Sequence, residues 1–174
     1  MAGMESPTQH STVIAAAEGA KRRLSRPIQP KRPLVLGTVV TIAQYNNTVS
    51  ASLADIRFLF VLLFGYAGLF RVSELLNVRV KDLSIDDIGM SVFISQRKNV
   101  QFREGHTSVI ARSNKILCPV AITDSILSLL PDAKDSCFTV LRRILSTKKG
   151  SYFHNLLGIS YTTIRDDFRK YHRL

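Results

Sequence analysis

The sequence predicts an α+β fold, mainly α: a helical bundle carrying a small antiparallel three-stranded sheet. Three observations carry that prediction. Residues 58–70 form a long apolar run, Phe-Leu-Phe-Val-Leu-Leu-Phe-Gly-Tyr-Ala-Gly-Leu-Phe, flanked by Arg57 and Arg71 and too short to span a membrane. Between Val78 and Ala111 the apolar period changes to two. Beyond Pro119 helical spacing returns. With 174 residues and 45% hydrophobic content, the chain is long enough to close one core.

Taken in order, residues 1–33 read as a basic flexible linker. Ile14 to Leu24 can form a short helix, and Pro27, Pro30 and Pro33 exclude a regular helix after it. From Leu34, the residues Val35, Val39, Ile42 and Ala43 recur at helical spacing up to Asn46-Asn47. Ser52 is an N-cap with Asp55 at the third helical position, opening a helix that runs to about Ala67. That helix is apolar on nearly every face, which predicts a central, buried position. Gly68 marks its end, and a short helix carries Arg71 to Asn77.

Val78 and Val80 suggest a first short strand, left through Lys81-Asp82-Leu83. Met90 to Ile94 and Thr107 to Ala111 are β-rich runs joined by a long, polar, basic tip. Pro119 opens a helix to Leu130, since proline suits the first helical turn. Ser136 to Leu145 reads as a helix stopped at Lys148-Lys149-Gly150, and Ser160 caps a last helix from Tyr161 to His172.

Charge bounds the partners. Lysine and arginine number 24 against 13 acidic residues, a net charge of +11. That excess points to a polyanion, and nucleic acid fits better than membrane because no lipid-facing helix is needed to place the apolar residues. Cys118 and Cys137 have no metal-type spacing and read as small core residues of a reducing compartment. His10, His106, His154 and His172 form no ligand pair. The N-terminus shows no signal peptide. Lys21-Arg22-Arg23 is a short basic cluster of the kind used in nuclear import, so the expected location is the nucleus if the source is eukaryotic and intracellular otherwise.

The segment Ala67-Gly68-Leu69-Phe70-Arg71-Val72-Ser73-Glu74-Leu75-Leu76, followed by Val80-Lys81-Asp82-Leu83, resembles the first arginine box of tyrosine recombinases, the phage-integrase family. Ser95-Gln96-Arg97-Lys98-Asn99-Val100-Gln101-Phe102-Arg103-Glu104-Gly105 resembles the lysine hairpin of that family. Leu53-Ala54-Asp55-Ile56-Arg57 and Ile159-Ser160-Tyr161-Thr162-Thr163-Ile164-Arg165 are similar to the branch found in eukaryotic mobile elements such as cryptons. The likeness covers roughly residues 34–171.

The resemblance implies DNA recombination and integration of a mobile element, by transesterification of a DNA phosphodiester. Arg71 would hold the non-bridging phosphate oxygens, which a guanidinium fork matches bidentately at any working pH. Lys98 would protonate the leaving oxygen as general acid, and Glu74, on the same helical face as Arg71, would orient the guanidinium. Arg97 and Arg103 would hold neighbouring phosphates. Lys21, Arg22, Arg23, Arg26, Lys31 and Arg32 form a basic strap able to lie along a phosphate backbone. Double-stranded DNA is the implied partner, with other recombinase protomers as a further one. No metal, cofactor, membrane or small-molecule substrate is implied, since arginines do the work of a divalent ion.

Each assignment has a plainer counterpart. Arg71 can simply pair with Glu74, Lys98 can be a solvated hairpin charge, and Arg165, Arg169, Lys170 and Arg173 can be a wet helix face. The His-x-x-Arg box and the nucleophilic tyrosine of the family have no counterpart in residues 1–174, since Tyr152, Tyr161 and Tyr171 all precede where that box belongs. Residues 34–174 are therefore expected to be a partial catalytic domain lacking its C-terminal part, binding DNA without cutting it. A domesticated DNA-binding or protein-interaction module is the alternative. A partial domain would leave apolar surface open near Phe153, Leu156, Leu157 and Phe168.

Overall fold

A computed structural model describes residues 7–24, 34–48, 50–95, 105–113, 115, 117–131 and 137–171. The chain divides into two compact units, residues 1–33 and 34–174. In the first, a 3-10 turn over Pro7–Gln9 precedes helix α1, Ser11–Leu24, none of whose residues is buried. The second holds helices α2 (Leu36–Asn46), α3 (Leu53–Gly68), α4 (Val72–Asn77), α5 (Pro119–Ser128) and α6 (Tyr161–Tyr171). Its strands are β1 (Leu83–Ile85), β2 (Gly89–Ile94), β3 (His106–Ala111), β4 (Arg142–Thr147) and β5 (Gly150–Gly158). The result is α+β, with a three-stranded antiparallel sheet in the order β1-β2-β3 and a separate two-stranded one, β4-β5.

Helix α3 organises the unit. Its start is fixed by a capping box: Ser52 Oγ accepts the Asp55 N–H at 3.3 Å, and Asp55 Oδ2 accepts the Ser52 N–H at 2.8 Å. Its all-round apolarity has a direct cause, because two clusters meet on it. Phe60, Val61 and Phe64 join Met90, Val92 and Ile94 of β2, Ile110 of β3, Val120 and Ile126 of α5, and Phe153 of β5. Phe58, Leu59, Leu62 and Leu63 join Val39, Ile42 and Ala43 of α2 and Tyr171 of α6. Each fully buried Val, Leu, Ile, Phe or Met among them contributes about 1.5–3 kcal/mol.

Three expectations are corrected. The first strand of the sheet is Leu83–Ile85, with Leu83 facing Val92 and Ile85 facing Met90, and, among the described residues, 78–80 make one isolated bridge, Arg79 to Thr139. The cause is Asp82, whose carboxylate accepts the Arg79 N–H at 3.1 Å and turns Val80–Asp82 into a 3-10 turn. The described part of the helix expected over 136–145 is not helical: bends and a bridge at Thr139 lead into β4 at Arg142, and Lys148-Lys149 is the tip of a hairpin. Thr147 faces Gly150, whose φ of 136° closes the turn in a conformation that favours glycine. Cys118 is buried as expected, but Cys137 is exposed.

The open apolar surface is also different. Phe153 is buried and Phe168 half-buried, while Leu156 and Leu157 are exposed. They stand where β5 bulges against β4, between the pairs Arg142–Gly158 and Ile144–Phe153. No described helix is long and apolar enough to cross a membrane.

Candidate nucleic-acid interface

The α3–α4 junction is a tight corner. The Phe70 N–H bonds the Gly65 carbonyl at 3.0 Å and the Leu69 N–H reaches the Tyr66 carbonyl at 3.4 Å, the two bonds of a Schellman closure. Its left-handed residue is Leu69, at φ 51°, rather than a glycine. Gly68 is required for a different reason: a Cβ there would stand 2.2 Å from the Phe70 ring. Phe70 is buried and packs on Phe64, ring centroids 5.0 Å apart. The corner thus anchors one residue in the core and presents the next, Arg71, at the N-terminus of α4.

Glu74 meets Arg71 twice. Its Oε2 accepts the Arg71 backbone N–H at 2.8 Å, and its Oε1 lies 3.4 Å from Arg71 Nη1. The Glu74 side chain is 4% exposed and the Arg71 side chain 48%. A buried carboxylate therefore holds one N–H of a guanidinium whose side chain stays half-exposed. The plain pairing of Arg71 with Glu74 and a phosphate-facing role for Arg71 are compatible, because one hydrogen bond leaves four of the fork's five N–H groups.

The other sequence-derived residues are placed only in part. Lys21, Arg22 and Arg23 fill the exposed last turn of α1, with Arg22 4.0 Å from Glu18. Arg26, Lys31, Arg32, Arg97, Lys98 and Arg103 lie outside the described residues, as do His172 and Arg173. The basic face of α6 is partly balanced by its own acid, since Arg165 and Arg169 stand 3.2 and 3.5 Å from Asp166. His154 sits in β5, and its Nδ1 accepts the N–H groups of Leu156 and Leu157 at 3.0 and 3.1 Å.

Tyr171 has a structural place. Its hydroxyl donates to Asp55 Oδ1, and its ring stacks on Phe58 with centroids 4.2 Å apart. Burial first, then the hydrogen bond and charge of Asp55, push its ionisation well above the usual phenol range. Lys170 Nζ also donates to that hydroxyl at 3.1 Å, but the net upward shift is the opposite of what a nucleophile needs.

Two buried arginines carried no role in the sequence. Arg57 donates to Asp167 Oδ2 at 2.9 Å, tying α3 to α6. Arg142, 1% exposed, donates from Nε to the Thr139 carbonyl at 3.0 Å and from Nη1 to the Asn155 carbonyl. Near them an open cleft of about 590 Å³ is lined by Arg57, Arg143, Ser160 and Thr163, among others. The signal that could have found the β4–β5 arm is Lys148-Lys149-Gly150 between Leu-Ser-Thr and Ser-Tyr-Phe, a turn between two β-prone runs.

No family model matches the chain. Over 109 residues, 63% of its length, it is 28% identical to a protein of Selenomonas ruminantium described as an integrase/recombinase xerD homolog. The match covers 31% of that protein, so the chain spans about a third of the relative's length.

Proposed function

We propose that residues 34–174 are part of a tyrosine-recombinase-type domain that holds duplex DNA by its backbone. Arg71 takes a phosphate with the donors that Glu74 leaves over, and Lys98, in the sequence between β2 and β3, takes the part of general-acid lysine on the same strand. Arg97 and Arg103 add neighbouring phosphate contacts, and the basic residues of the first unit, Lys21, Arg22, Arg23, Arg26, Lys31 and Arg32, add non-specific ones. The source is a mobile element of the crypton-like branch, acting in the nucleus. Residues 1–174 contain no His-x-x-Arg spacing, so these residues bind DNA and do not sever it.

The observation that carries this reading is the half-exposed Arg71 guanidinium braced by a buried glutamate. A guanidinium with free donors at a helix N-terminus on a chain of net charge +11 suits a phosphate more than a second carboxylate. The test is fluorescence anisotropy of a labelled duplex with the full chain across a salt series. Affinity should fall log-linearly with salt, because neutralised phosphates release counterions. Arg71→Ala should cost roughly tenfold and Arg71→Lys part of that, as expected for a charge-assisted contact. Absence of duplex binding at about 50 mM salt, where such contacts are strong, overturns the reading. So does an Arg71→Ala chain that binds like the parent.

A further inference from the structure

We infer that the β4–β5 hairpin is a second DNA-contacting arm, its tip seated on the sugar-phosphate backbone at a groove edge. The inference rests on the DNA-binding reading above but on different residues. Between Asp135 and Asp166 the sequence has no carboxylate, while Arg142, Arg143, Lys148, Lys149 and Arg165 all fall there. A surface tuned for solubility alone is best served by interspersed charges of both signs. Here one sign is excluded over a whole hairpin.

The geometry concentrates that charge. Ser146, Thr147, Lys148, Lys149, Gly150, Ser151 and Tyr152 are all exposed. Among the described residues neither lysine forms an ion pair, and Ser146 Oγ and Ser151 Oγ sit 3.0 Å apart across the ladder. Ammonium and hydroxyl groups are the backbone-contacting set: they bind phosphate oxygens and carry no base code. Arg143, also exposed, stands at the root of the same arm and lines the cleft shared with Ser160 and Thr163. Lys148 lies five positions further on, about 16 Å along an extended strand at ~3.3 Å per residue. A two-stranded ribbon fits a major groove about 12 Å wide, so cations at root and tip can meet phosphates on its two sides.

The arm is also rigid at its base. Ile144 pairs with Phe153, which is buried in the main core, and Arg142 pins the Thr139 and Asn155 carbonyls beneath it. A contact element held by a fixed root loses less conformational freedom on binding than a loop would.

The test uses the full chain, a labelled duplex and a salt series, with Lys148→Ala/Lys149→Ala, Lys148→Arg/Lys149→Arg and Arg71→Ala. The double alanine chain should melt like the parent, because both side chains are exposed. Its plot of log affinity against log salt should be shallower by about 1.8, the slope for two released counterions. Its affinity should fall about equally on unrelated sequences, and the double arginine chain should bind like the parent. A parent that binds DNA and loses affinity with Arg71→Ala, next to a double alanine chain with unchanged affinity and slope, sinks the hairpin inference alone. A parent that binds no duplex sinks both. Tighter lysine-dependent binding to polyglutamate than to duplex DNA assigns the arm to an acidic protein and overturns the inference.

Discussion

Glu74 Oε2 takes the backbone N–H of Arg71 at 2.8 Å while its Oε1 lies 3.4 Å from the guanidinium of the same residue. One carboxylate thus caps a helix and steers the cation beside it. The two jobs separate by substitution. Glu74→Ala removes a cap acceptor and should cost about 1–2 kcal/mol in chemical denaturation. Arg71→Ala keeps its backbone N–H on Glu74 and should cost under about 1 kcal/mol, as for a partly exposed pair. Equal destabilisation by the two changes would show that the guanidinium, not the cap, holds the corner.

The corner itself is strained at one known residue. Leu69 adopts φ 51° and is 81% exposed, so it has a conformational cost with little burial in return. Leu69→Gly should stabilise by about 1 kcal/mol, since a left-handed conformation costs an L-residue roughly 1–2 kcal/mol. Gly68→Ala should destabilise, because its methyl would overlap the Phe70 ring. A melting temperature that does not rise for the first change, or does not drop for the second, contradicts this account of the α3–α4 turn.

How much of this was legible follows from where local chemistry decides. Ser52 with Asp55, Pro119, Asn46-Asn47 and Ser160 each announce a helix boundary through a side chain or ring acting within a turn, and each boundary falls there. The pairing of Arg71 with Glu74 was legible for the same reason, the two standing at the N-cap and third position of one short helix. The strand over Arg142–Thr147 was hidden because Val140-Leu141 with Ile144-Leu145 satisfies a helical period as well as a buried strand. Only pairing with residues 150–158 decides between them. Arg57 and Arg142 were hidden because their partners, Asp167 and the Asn155 carbonyl, are brought to them by the tertiary fold.

The α3–α6 clasp should make stability depend on pH at both ends. Burial raises the Asp55 ionisation, but hydrogen bonds from Tyr171 and Ser52 outweigh it and leave the carboxyl below its ordinary value. Its contribution is then present above the unfolded value, about 3.9, and lost as pH falls through the lower folded one. Tyr171 is shifted upward, so its contribution is intact below about 10 and lost as pH rises beyond it. Tyr171→Phe should cost about 1–2 kcal/mol at neutral pH. It should also remove Tyr171's share of the alkaline loss and weaken the Asp55 contribution to the acid one. Melting temperatures from acid to alkaline pH with the same pH profile in parent and variant would show that the Tyr171 hydroxyl plays no part.

Arg142 should behave as the peg of the β4–β5 arm. It is almost wholly enclosed, with its Nε on Thr139 and Nη1 on Asn155, and its guanidinium 5.7 Å from the centre of the Phe138 ring. Arg142→Ala leaves two partly buried carbonyls short of a donor and empties the space of an almost wholly buried side chain, so it should cost about 3 kcal/mol. Arg142→Lys keeps the charge but has no planar fork to reach carbonyls on both sides, and should cost nearly as much. The loss should be local first. Amide exchange should quicken across 142–158 before α3 is affected, because the ladder loses its root while the clusters on α3 stay packed. If the arm contacts DNA, Arg142→Lys should also reproduce the shallower salt slope of the double lysine variant, although Lys148 and Lys149 are untouched. A lysine variant within about 0.5 kcal/mol of the parent, the range of ordinary surface changes, would make Arg142 a passive buried cation and leave the hairpin held by Phe153 and Ile144 alone.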